Sequence, residues 1–68
     1  MGGIKFYAYL GNYEFGEESL GRGRVMIIDD LKTLEGVIKR CRRYWGIEKF
    51  RVYSFTNFYD ESTFERVY

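Results

Sequence analysis

The stretch from Asp29 to Ile47, DDLKTLEGVIKRCRRYWGI, constrains this chain more than any other, because its period, its start and its stop all agree on a helix. Leu31, Leu34, Ile38, Cys41 and Trp45 recur at three- and four-residue steps, and Val37 and Tyr44 widen the stripe. An apolar band about 100° wide or more results, and it must be buried against something. Lys32, Glu35, Lys39, Arg40, Arg42 and Arg43 fall on the other side, where charge stays in water. Asp29 or Asp30 is the expected N-cap, since a carboxylate there accepts free backbone N–H groups and meets the positive end of the helix dipole. At the far end the basic residues meet the negative pole, Gly46 supplies a left-handed stop after Trp45, and Ile47 is placed to fold back on the last apolar turn. Gly36 is the one poor helix former inside, costing about 1 kcal/mol relative to Ala; close packing, or the approach of a strand or partner, would account for it.

The remaining segments read as strands and turns. Ile4 to Leu10 alternates, with Ile4, Phe6, Ala8 and Leu10 on one face and Lys5, Tyr7 and Tyr9 on the other, the pattern of a half-buried strand. Gly11 and Asn12 suit a type II′ turn. Two continuations are open: Tyr13, Glu14 and Phe15 return at once as a short strand, or Gly11 to Gly23 is one long connection holding four of the eight glycines. The glycine spacing argues for the second. Arg24 to Ile28, RVMII, is a second strand whose near-continuous apolar character points to a position central in the sheet or buried on both sides. Lys49 to Phe55 is a third, with Phe50 and Val52 alternating against Arg51, Tyr53 and Phe55. Thr56 to Ser62 is a polar turn carrying Phe58 and Tyr59. Residues 63–68 admit two readings: Ser62 and Glu65 spell a capping box, whereas the Thr, Phe, Val and Tyr content favours a strand.

A chain of 68 residues holds one domain and buries only about 60% of its unfolded surface, so its core is small. Residues 1–3 read as a flexible leader and residues 4–68 as that single domain. The expected class is α+β: a small antiparallel or mixed sheet of about four strands with one helix packed across one face, in the order ββαββ. This succession of N-terminal hairpin (Ile4 to Ile28), crossing helix (Asp30 to Trp45) and further strands from Phe50 resembles the β-grasp, or ubiquitin-like, fold. The resemblance rests on element order, covers most of the chain and implies a fold used mainly for protein binding.

The residue inventory removes most chemistry. With no histidine and one cysteine, the usual zinc, haem and His-assisted nucleophile sites are missing, and no segment matches a phosphate loop or dinucleotide fingerprint. Neither a catalytic site, nor a metal, nor a cofactor is expected, and the chain reads as a non-enzyme. Cys41 lies on the helix stripe as a buried thiol. The carboxylate pairs Glu17 with Glu18, Asp29 with Asp30, and Asp60 with Glu61 read as caps and solvated loop charges. One cysteine, no signal-peptide pattern and no long apolar run place the protein in a reducing cytoplasm and away from the membrane. A net charge of +1 excludes wholesale polyanion binding, so any electrostatic recognition is local.

The remaining anomaly is aromatic. Seven Tyr, six Phe and one Trp exceed what so small a core needs. With Phe6, Phe50 and Trp45 turned inward, Tyr7, Tyr9, Tyr53 and Phe55 share the sheet face opposite the helix, beside Lys5 and Arg51. Read as an open face, these six residues form a binding surface for a protein partner or a second copy, Tyr and Arg being enriched at interface hot spots. The function expected is that of a small adaptor or inhibitor, of a size that suits an accessory protein of a phage or mobile element. The alternative is single-stranded nucleic acid stacked on the same face, with phosphates held by Arg22 and Arg24 of the GRGR run and by Lys39, Arg40 and Arg43 of the helix.

Overall fold

The computed structural model describes residues 3–11, 23–46 and 49–68. Four strands and one helix follow one another as β1 (Lys5–Leu10), β2 (Arg24–Ile28), α1 (Leu34–Trp45), β3 (Arg51–Phe55) and β4 (Glu65–Arg66), with a single 3₁₀ turn at Glu61–Thr63 before the last strand. The sheet order is β2-β1-β3-β4 and every neighbouring pair is antiparallel. The fold is therefore α+β, one four-stranded antiparallel sheet with one helix. The β-grasp-like ordering is not established: the helix connects β2 to β3, two strands that flank β1 without touching each other. β2 is also an edge strand, not the central one its apolar run suggests, because β1 takes the centre by pairing Phe6 with Ile28 on one side and with Ser54 on the other.

The alternation of β1 decides what goes where. Phe6 and Ala8 are buried on the helix side together with Ile28, Phe50 and Val52, and α1 meets them with Val37 and Cys41, which are fully buried. Leu31, Leu34, Ile38 and Trp45 close the rim of this core. The helix thus presses its Val37 and Cys41 line onto the sheet, while Leu34 and Ile38 stay partly open beside a shallow depression lined with Lys39 and Arg42. Trp45 reaches Phe50 (ring centroids 5.8 Å apart) and Phe50 reaches Tyr68 (5.3 Å). Both Val67 N–H and Tyr68 N–H donate to the Val52 carbonyl, at 2.8 and 3.1 Å, which fastens the chain after β4 to β3.

The helix begins three or four residues later than the acidic pair suggests. Thr33 is the N-cap, extended at φ −122°, ψ 144°, and its Oγ1 accepts the Gly36 N–H at 3.2 Å. A Cβ on Gly36 would lie 3.2 Å from that same oxygen and 3.8 Å from Leu31 Cδ1, so the glycine makes room for the cap and for Leu31. Asp30 is drawn away to Arg40, and neither it nor Asp29 caps the helix. The stop is as the residues indicate: Gly46 adopts φ 76°, a left-handed conformation that glycine enters without Cβ strain, and its N–H donates to the Arg42 carbonyl at 2.8 Å. The fold-back of Ile47 and the alternatives for Asn12 to Arg22 lie outside the described residues. For residues 63–68 neither reading holds throughout: the 3₁₀ turn ends at Thr63, and only Glu65 and Arg66 form a strand.

Phe50 is buried and bridges Trp45 at the helix end to Tyr68 beyond β4, so Phe50→Ala should cost about 3 to 5 kcal/mol, the usual loss for a buried aromatic. Tyr44→Ala, one residue before Trp45 on the exposed side, should stay within about 0.5 kcal/mol of the parent. Urea unfolding followed by circular dichroism measures both.

Candidate functional site

The face opposite the helix is closed. Tyr7, Tyr9, Tyr53 and Phe55 are all buried and form a second core, with Phe64 packed against it. The expectation of an open face carrying these residues as exposed anchors is thereby corrected, and the cover comes from Phe58 in the segment read as a polar turn and from Phe64 just after it. Phe64 lies flat on Phe55, ring centroids 4.6 Å apart at 9°, and meets Tyr7 edge-on at 5.7 Å. Phe58 meets Phe55 edge-on at 5.9 Å. Tyr7 and Tyr53 pack edge to face at 6.0 Å, across directly paired strand positions.

Short polar side chains hold that cover in place. Asn57 Oδ1 accepts the Tyr59 N–H at 3.0 Å, and Asp60 Oδ1 accepts both the Ser62 N–H and its hydroxyl, at 3.1 and 2.7 Å. Thr63 Oγ1 accepts the Asn57 N–H at 3.3 Å and lies within donating distance of the Asn57 and Asp60 carbonyls. Such Asx turns and caps replace the ladder bonds that a tight reversal gives up. Asp60, weighed above as a solvated loop charge, is thus a turn cap.

Tyr9 is covered differently. Its ring lies against the backbone of Gly11 and Gly23, and a Cβ on either glycine would run into it. The Arg51 guanidinium sits over the same ring, 5.2 Å from the centroid, a cation–π arrangement. Of the two basic residues assigned to this face, Arg51 is thus half-buried on Tyr9, while Lys5 stays exposed at the rim opposite Phe55.

Among the described residues, exposed large apolar and aromatic side chains lie elsewhere, at Ile4 just before β1 and in three further places. Val25 and Ile27, on edge strand β2, are 44% and 46% exposed although their cross-strand partners Tyr9 and Tyr7 are buried. Phe58 and Tyr59 project from the turn, Tyr59 with 93% of its surface free. Tyr44 is 75% exposed on α1 among Lys39, Arg40, Arg42 and Arg43, all on the solvent side. Of the alternative phosphate ligands, Lys39, Arg40 and Arg43 share this helix surface, Arg24 lies apart at the head of β2, and Arg22 is outside the described residues. Residue pattern alone missed β2 as an exposed edge, because a buried central strand and an uncovered edge strand both read as a short apolar run. The only contrary signal was the charged residue at each end.

Electrostatics is local and ordinary. Hydrogen bonds from Arg40, 2.8 and 3.0 Å to the two Asp30 oxygens, hold the Asp30 carboxyl below the usual carboxylate range and raise Arg40 in turn. Burial pushes the Cys41 thiol up, away from a reactive thiolate, even with Arg40 next to it in sequence. Among the described residues no group of three or more His, Cys, Asp or Glu side chains is gathered as a metal site would need, and no helix is long and apolar enough to cross a membrane. No protein-family model, no curated protein and no solved structure matches the chain.

Two expectations follow. Gly23→Ala should destabilise by about 1 to 3 kcal/mol, the range for overpacking, with loss of near-ultraviolet tyrosine signal; a melt equal to the parent's would mean the ring has free space. Because the folded carboxyl of Asp30 titrates low, its ion pair favours the folded state above the usual aspartate range and stops doing so as pH falls through that lowered value. Carboxyl chemical shifts should show Asp30 returning to an ordinary aspartate in Arg40→Gln.

Proposed function

We propose that the chain is a small non-enzymatic binding module, an adaptor or inhibitor, that engages a protein partner by strand addition along β2. One observation carries this reading: β2 is an apolar strand at the sheet edge whose Val25 and Ile27 are nearly half exposed, while the rest of that sheet face is sealed under aromatic rings. An open edge offers main-chain donors and acceptors for affinity, and alternate side chains supply the selective contacts. The surface of interest thus moves from the middle of the aromatic face to its margin. Tyr7, Tyr9, Tyr53, Phe55 and Arg51 act as the rigid backing that holds β2 flat, and Lys5 as a charge at the rim. The hairpin, helix and strand succession resembles β-grasp modules and supports a binding role by analogy alone. A buried free thiol in Cys41 suits a reducing cytoplasm.

A second reading keeps nucleic acid, on α1 rather than on the sheet. Tyr44 is exposed next to Arg43 and one turn after Arg40, which Asp30 also holds, so a base could stack beside a phosphate-binding cation. A lysate pull-down, run with and without nuclease on the parent, Val25→Lys/Ile27→Lys and Arg43→Gln/Tyr44→Ala, separates the two. The β2 reading expects nuclease-resistant proteins lost only in the first variant. Retention of the same proteins by that variant would sink it, and nuclease-sensitive capture lost in the second variant would establish the helix reading in its place.

A further inference from the structure

We infer that the strand added to β2 is β2 of a second copy, giving a two-fold dimer with one continuous eight-stranded sheet; this rests on the strand-addition reading above.

Charge placement is the first argument. β2 opens on Arg24 and is followed at once by Asp29 and Asp30, so its two ends carry opposite signs. An antiparallel copy brings the basic end of one strand beside the acidic end of the other, whereas a parallel copy would set like beside like. Opposite charges across a strand pair favour it and like charges oppose it. The second argument is side-chain register. A two-fold axis at Met26 sets Val25 against the partner copy's Ile27 and the reverse, which gathers four β-branched side chains on the sheet face already built from Tyr7 and Tyr9. Those are the side chains left nearly half exposed in the single chain. β2 itself carries none of the devices that usually blunt an edge: no proline, no lysine, no charge between Arg24 and Asp29.

The two edges of the sheet differ, and this selects a dimer over a filament. At the far edge β4 is only two residues long, Glu65 and Arg66, both exposed and both charged. Short charged edges resist pairing. With one receptive edge per chain, β2 to β2 contact is isologous and closes after two copies. Among the described residues nothing pairs with the outer side of β2.

Sedimentation equilibrium over a wide concentration range tests this. The parent should dimerise with a dissociation constant in the micromolar range. Val25→Lys/Ile27→Lys places four like charges at the junction and should weaken dimerisation more than about a hundredfold, with circular dichroism unchanged. Should that variant unfold, Ile27→Thr keeps a β-branched, uncharged residue at an exposed position and should still weaken it by about tenfold, or 1.4 kcal/mol. In mixed samples of differently isotope-labelled chains, methyl contacts between Val25 of one copy and Ile27 of the other should appear. A parent that stays monomeric throughout, or folded variants that dimerise as the parent does, would overturn the inference. If the parent is monomeric while capture from lysate still depends on Val25 and Ile27, only the second copy is wrong; if that capture is also unaffected, strand addition falls with it.

Discussion

Everything in this molecule hangs on β1 being paired along both of its sides. A strand in the middle of a sheet has its main-chain groups satisfied, and its side chains, alternating across the pleat, reach two separate cores. Phe6 and Ala8 belong to the helix side, Tyr7 and Tyr9 to the aromatic side. In a chain that can bury little surface in total, covering both faces of the sheet is how Phe6, Tyr7, Tyr9, Phe50, Tyr53 and Phe55 are all buried without leaving a broad apolar face to solvent. The helix serves one face. The Asn57 to Phe64 segment serves the other with no regular element longer than a 3₁₀ turn.

This explains what could be read from residues in advance and what could not. The alternation of Ile4 to Leu10, the stripe of α1 and its Gly46 stop are local signals written within a few turns or pleats, and they give the class and the helix side of the core. Thr33 won the cap over Asp29 and Asp30 because a distant residue, Arg40, claims Asp30 and because Gly36 leaves space for the threonine hydroxyl. That competition is tertiary. The aromatic face was correctly grouped, since Tyr7, Tyr9, Tyr53 and Phe55 do share one side of the sheet, but its exposure was misjudged because the cover is irregular chain. Asn57, Asp60 and Thr63 announce a turn; nothing in their spacing says that Phe64 comes down on Phe55. The status of β2 was the hardest to see. Strand order depends on which strand finds β1 from far along the chain, and no window of sequence contains that information.

The same topology bears on how the chain acquires its structure. β1 pairs with β2, the next strand in the chain, but Lys5 also pairs with the distant Phe55, and the ring that seals Tyr7 is Phe64. During synthesis the hairpin and the helix can form early, as local contacts do, while the tyrosine face of β1 and its second edge wait for segments not yet made. Until then a nascent chain shows water the tyrosine side of β1 and one bare flank on each of its two strands. The central pairing of the finished sheet is among the last contacts that the growing chain can make.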